Sequence, residues 1–182
     1  MRLFLALDLP ASVRAALARW AEAELPDDLR PPREENLHVT LAFLGWREGR
    51  EADVIWDAAS RAVAELALPR LEPGAVLPVP RRRPRLVALD LTDATGTAAG
   101  WHRAVSDALA RDGLYRPEKR PFWPHVTLAR ARRGARVRAP RSSPELAPFV
   151  ADALTLYRSD LSRDGARYTA LERVGERGAR PS

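Results

Sequence analysis

A short apolar run, Leu3 to Leu7, bounded by Arg2 and Asp8, predicts a first strand over 2–8, and Pro10 then stands where a helix can begin. Val13, Ala16, Leu17 and Trp20 follow at helical spacing, predicting an amphipathic helix over 10–24 that ends before Pro26. The Pro31-Pro32 loop leads to a strand over 37–44, stopped by Gly45. Val54, Ile55, Ala58, Ala59, Ala62, Val63 and Leu66 form one stripe, predicting a second helix over 51–66. Strands are expected over 71–79 and 85–91 with a turn from Pro80 to Pro84 between them, then a helix over 96–111 and a strand over 124–130. Two last strands, 151–157 and 166–174, flank a turn at Asp164-Gly165. The order is irregular, and neither GxGxxG nor GxxxxGK[ST] occurs, so the pattern predicts an α+β fold with largely antiparallel sheets and disfavours the common nucleotide-triphosphate enzymes.

Composition narrows the class. A chain of 182 residues, 46% hydrophobic, is long enough for one domain or two small fused lobes. With 30% charged residues and a normal apolar fraction it fits neither the disordered nor the membrane class, and no apolar run approaches the ~20 residues of a membrane span. Asp8 and Pro10 arrive before a secretory apolar region can form. Without cysteine there is no disulfide, thiolate nucleophile or Cys-based zinc site, a composition compatible with a cytoplasmic protein.

The net charge of +6 is unevenly spread. Residues 1–78 carry 9 basic and 13 acidic side chains, 79–141 carry 15 and 5, and 142–182 carry 6 and 6. Only Lys119 is a lysine, and arginine offers a planar fork suited to phosphate oxygens, so the excess over 79–141 points to phosphate or nucleic acid. A genome rich in arginine codons explains the choice of arginine, but explains the clustering less well.

Two of the three histidines stand in identical tetrapeptides 87 residues apart, His38-Val39-Thr40-Leu41 and His125-Val126-Thr127-Leu128. Alternation places His38 and Thr40 on one strand face, with Leu37, Val39, Leu41 and Phe43 on the other, and does the same for the second copy. Any polar residue satisfies the outer face of a strand. Repetition of both His and Thr therefore suggests duplicated lobes facing one another across a cleft. Two facing imidazoles form a general acid–base pair near neutral pH, and the threonine hydroxyls can hold the non-bridging oxygens of a phosphodiester. No metal is needed. A zinc site would require a third ligand from a distant Asp or Glu, since neither cysteine nor HExxH is present, and a serine triad lacks a GxSxG elbow. His102 has no repeat partner and reads as a surface or packing residue.

These residues resemble the two-histidine phosphoesterases, whose hallmark is a pair of HxTx motifs, and more closely the bacterial RNA 2′,3′-cyclic phosphodiesterases once called 2′-5′ RNA ligases. The match runs from Arg2-Leu3-Phe4-Leu5-Ala6-Leu7 through Glu35-Asn36-Leu37-His38 to Gly45, continues over Phe122-Trp123-Pro124-His125 to Arg130, and closes at Leu156 to Leu161, Gly165 and Tyr168. The resemblance implies one two-lobed domain over 1–175, with pseudo-two-fold duplicated antiparallel sheets, flanking helices and a central cleft; residues 176–182 are expected to form a solvated tail. It implies hydrolysis of a terminal 2′,3′-cyclic phosphate to a 2′-phosphomonoester, with His38 as proton donor, His125 as proton acceptor and Thr40 and Thr127 holding the phosphate. It implies a monomer that takes RNA with a 2′,3′-cyclic phosphate end, tRNA fragments being a candidate source, with no membrane partner, cofactor or metal. Reversible joining or cleavage of 2′-5′ linkages, and a non-catalytic RNA-binding module, are the alternatives.

Arg130 matches the arginine that follows the second motif, but strict alternation turns it away from His125 unless the strand bulges or ends first. Phe43 is expected in the core by the same count. Trp123 and Tyr168 are candidate substrate-binding residues that could stack on a base, with packing as the competing role. The tract Arg130, Arg132, Arg133, Arg136, Arg138 and Arg141 is a candidate path for the RNA backbone.

Overall fold

A computed structural model describes residues 1–132, 134–138, 140–162 and 165–175. Arg133, Asp164 and the expected tail at 176–182 lie outside the described residues. The apolar first segment forms β1 (Arg2–Asp8), and it is buried on both faces from Leu3 onward, because it runs through the middle of the sheet. Helix α1 (Ala11–Glu24) starts after Pro10 and buries Val13, Leu17 and Ala21, one residue per turn. A two-residue strand β2 (Leu29–Arg30) and a short 3-10 turn (Glu34–Asn36) precede β3 (His38–Trp46). Helix α2 (Glu51–Val63) is followed by the hairpin of β4 (Arg70–Val79) and β5 (Leu86–Thr92). Helix α3 (Thr97–Arg111), β6 (His125–Ala131), a two-residue β7 (Phe149–Val150), β8 (Ala153–Ser162) and β9 (Gly165–Gly175) complete the order.

The α+β reading holds, with corrections at element ends. The second helix stops at Val63, leaving Leu66 42% exposed. The third strand does not stop at Gly45: the glycine pairs with Leu3 at φ +71° and the strand runs on to Trp46. The eighth strand starts two residues later than expected and extends to Ser162.

All pairings among the described residues are antiparallel, in the order β7-β4-β5-β6-β3-β1-β8-β9, with β2 off this path and paired to β6. The two halves of this path meet at one residue pair, Val39 with Val126, the second residue of each repeated tetrapeptide. Each half contains the same unit. β1, α1 and the antiparallel β3 in one correspond to β5, α3 and the antiparallel β6 in the other. The helices cross over: α1 packs on β6 and α3 on β3, so each unit's helix covers the other unit's motif strand. Leu17, Val39, Leu89, Leu109, Val126 and Leu128, all fully buried, join one apolar core beneath the junction.

Candidate active site

Each motif strand carries a β-bulge at the same residue of its repeat. On β3, Thr40 pairs with Ala6 and Ala42 with Leu5, leaving Leu41 extra; on β6, Thr127 pairs with Ala88 and Ala129 with Val87, leaving Leu128 extra. An extra residue reverses the alternation beyond it. Leu41 and Ala42 are therefore both buried and Phe43 swings out; in the second copy Leu128 and Ala129 are both buried and Arg130 swings out. The expectation of a core Phe43 is corrected: it is 60% exposed and lines a cavity. Arg130 meets the condition set by its strand, since the bulge precedes it, and it lines the same cavity.

That cavity, about 290 Å³, gathers His38 and Thr40 from one strand and His125 and Thr127 from the other. Tyr168 lines it from β9, while Arg30, Arg33 and Asn36 reach it from the segment before β3. His38 Nδ1 lies 2.7 Å from the Asn36 carbonyl and His125 Nδ1 lies 2.8 Å from the Trp123 carbonyl, in each case two residues back along the chain. A carbonyl only accepts, so Nδ1–H donates in both rings and Nε2 carries the lone pair of the neutral imidazole. In the neutral ring His38 Nε2 accepts from the Thr40 hydroxyl at 3.1 Å.

Their surroundings differ. His38 stands among Phe4 at 5.0 Å, Tyr168 edge-on at 5.5 Å and Tyr157 at 6.2 Å between ring centres. Burial pushes its pKa down to about 4; the bond to Asn36 and the charge of Asp8 oppose this, while His125 and Arg130 reinforce it. His125 lies flat under Trp123, with ring centres 4.1 Å apart and planes 15° apart. Burial lowers its pKa as well, opposed by the Trp123 carbonyl and Asp90 and reinforced by Arg130. Both rings are held in the neutral form at pH 7.

Behind each histidine sits a carboxylate that sequence reasoning missed. Asp8 is the cross-strand partner of His38, and Asp90 of His125. Asp8 accepts hydrogen bonds from Thr155 Oγ1 at 2.9 Å, Tyr157 Oη at 2.7 Å and Arg173 Nε at 2.9 Å. Burial and the Asp8 charge raise the Tyr157 phenol far above its ordinary range, so it remains a donor. Asp90 accepts from Trp123 Nε1 at 2.6 Å. A signal was present: Ala6-Leu7-Asp8-Leu9 recurs as Ala88-Leu89-Asp90-Leu91, a second repeat on the neighbouring strands.

The other sequence candidates separate clearly. Tyr168 joins the cavity, whereas Trp123 is not among its lining residues and instead backs His125 and binds Asp90. His102 stacks on Phe122 at 4.5 Å, a packing role. Of the arginine tract only Arg130 lines the cavity among the described residues; Arg132 Nε donates to the Asp27 carbonyl at 3.1 Å. No group of three or more His, Asp or Glu side chains among the described residues is placed to hold a metal ion. None of the described helices is long and apolar enough to cross a membrane.

The class defined by this duplicated strand–helix–strand fold and its paired His-x-Thr motifs agrees with comparison to known families. The 2′-5′ RNA ligase superfamily matches residues 9–163, and the chain belongs to it. Among individual proteins, it is 32% identical over 178 residues to the RNA 2′,3′-cyclic phosphodiesterase of Escherichia coli, spanning 94% of each chain. It is 34% identical to the enzyme of the same name from Thermus thermophilus, spanning 98% of this chain and 91% of that one. The structure of E. coli LigT complexed with 3′-AMP superposes with a TM-score of 0.75 at 29% identity, covering 97% of this chain and 98% of the other.

Proposed function

We propose that this protein hydrolyses the terminal 2′,3′-cyclic phosphate of RNA to a 2′-phosphomonoester by a two-histidine acid–base mechanism. The observation that carries this reading is the pairing of two imidazoles in one cavity, each with Nδ1 fixed to a carbonyl and Nε2 available for proton transfer. In the reaction His125 Nε2 takes a proton from water as its oxygen bonds to phosphorus. The bond from phosphorus to the 3′ oxygen breaks, and His38 Nε2–H protonates that departing oxygen. Thr40, Thr127 and Arg130 stabilise the non-bridging oxygens as charge builds on them. Passing the proton from His125 back to His38 restores the starting state.

Burial keeps His38 neutral at pH 7, so its role as donor requires it to gain a proton with the substrate. An arriving phosphodiester anion supplies the opposite charge that favours imidazolium. Tyr168 and Phe43 offer ring faces to the terminal base, and Trp123 acts by holding the His125 ring. The mechanism uses no cofactor or metal. It fits a cytoplasmic monomer acting on RNA fragments, those of tRNA included. Incubation with an oligoribonucleotide ending in a 2′,3′-cyclic phosphate, in excess chelator, tests the reading: the expected product has a 2′-phosphate and a 3′-hydroxyl. A 3′-phosphate, or a cyclic end that survives until divalent metal is added, overturns it.

A further inference from the structure

A groove of about 450 Å³ lies against the cavity, sharing Arg33, Gly165 and Ala166 as a common wall. The register of the β8–β9 hairpin explains its chemistry. Arg158 pairs with Thr169 and Asp160 with Arg167, so these four side chains share one face, while Tyr168, paired with Ser159, occupies the other and lines the cavity. β9 is an outer strand of the sheet, and the Asn36 side-chain amide donates to the Ala166 carbonyl at 3.1 Å, fixing the hairpin against the 3-10 turn. A chain leaving the cavity over Ala166 enters the groove directly.

The groove holds three guanidinium groups against one carboxylate. Arg158 Nε binds Asp160 at 2.9 Å, Arg33 faces Glu35 at 3.8 Å outside the groove lining, and Arg167 is exposed. The chemistry assigned to the cavity uses neither Arg158 nor Arg167. A terminal cyclic phosphate occupies the 2′ and 3′ oxygens, so the rest of the RNA continues only through the 5′ oxygen of that nucleotide. Its first linking phosphate must leave beside a wall of the cavity.

We infer that Arg158 and Arg167, with Arg33 at the shared wall, bind the 5′-phosphate of the terminal nucleotide and the strand leading to it, making this groove the path of single-stranded RNA. The inference rests on the proposed function. It moves the RNA path away from Arg132, Arg136, Arg138 and Arg141, which do not line the cavity, to arginines in segments without a basic excess. Arginine forks suit such phosphates, and each contact adds to salt dependence.

The test compares three substrates: a nucleoside 2′,3′-cyclic phosphate with a free 5′-hydroxyl, the same compound carrying a 5′-phosphate, and a cyclic-ended oligoribonucleotide. The protein should favour the second and third over the first. In the double variant R158A/R167A, kcat/KM for the oligonucleotide should fall about tenfold with a shallower dependence on salt, and the first substrate should change less than about twofold. An equal loss on all three substrates overturns the inference, as does an unchanged oligonucleotide rate. So does a larger loss on the oligonucleotide in R132A/R138A/R141A. Should the unmodified protein turn over none of the three, the functional reading fails separately. Fluorescence anisotropy with a labelled single-stranded oligoribonucleotide then decides the groove: about tenfold weaker binding in R158A/R167A supports it, and equal binding refutes it.

Discussion

β3 and β6 carry the same five residues, His-Val-Thr-Leu-Ala, bulge at the same leucine and fix the same histidine nitrogen, yet they present different chemistry five residues after the histidine. Phe43 occupies that place on one strand and Arg130 on the other. The histidines differ likewise: His38 is enclosed by Phe4, Tyr157 and Tyr168 with a heavily hydrogen-bonded Asp8 behind it, while His125 lies flat under Trp123 with Asp90, bound by the Trp123 indole, behind it. Duplication supplies two imidazoles fixed in the same way, which the proposed mechanism uses as its two proton carriers. In the proposed mechanism divergence around them makes the site directional, Arg130 serving the phosphate oxygens and Phe43 the base.

The largest effect should come from removing either proton carrier. H38A and H125A are each expected to lose about 10³-fold in kcat, and the double variant little more, because both act in one transition state. Single-turnover rates check this, and a variant that keeps its rate breaks the paired mechanism. Next in size is the pH dependence of stability that separates His38 from an exposed histidine. Its pKa is near 6.5 when unfolded and about 4 when folded, so the unfolded chain binds more protons between those values. Stability present above pH 6.5 should therefore be lost as pH falls toward 4, by up to about 3 kcal/mol. Denaturant midpoints for wild type and H38Q should converge at low pH; parallel curves would refute a buried neutral His38.

Two smaller effects sharpen the contrast at the divergent position. R130A should lower kcat about 10²-fold, as expected for loss of a group that stabilises developing charge. F43A should chiefly raise KM, by about tenfold, because base stacking is retained through the transition state. Steady-state kinetics on a cyclic-ended oligonucleotide separate the two. Equal effects on KM and kcat in both variants would erase the distinction between the two sides.

Much of the fold is legible in the sequence because its long elements obey simple periods. Helices α1 and α3 follow from apolar spacing between proline or glycine stops, and β1, β4 and β5 from runs bounded by turn residues. The two-residue strands β2 and β7 are too short to alternate. The histidine–threonine pairs stand out because repetition is rarer than alternation. Bulges leave no such mark: Leu41 and Leu128 are ordinary strand residues, yet each reverses the alternation at the residues that follow it, which is why alternation alone puts Phe43 in the core and leaves Arg130 conditional. Arg30, Arg33, Arg158 and Arg167 are hidden differently, since the fold assembles them from stretches whose counted charges are negative or zero.

The most direct test of directionality replaces the bridging 3′ oxygen of the cyclic end by sulfur. A thiolate departs without a proton, so the need for an acid disappears and the need for a base remains. The proposed roles predict that H38A recovers to within about tenfold of wild type on the sulfur substrate, while H125A keeps its deficit of about 10³-fold. Recovery of H125A in place of H38A would exchange the two roles, and a full deficit in both variants would contradict the acid–base account.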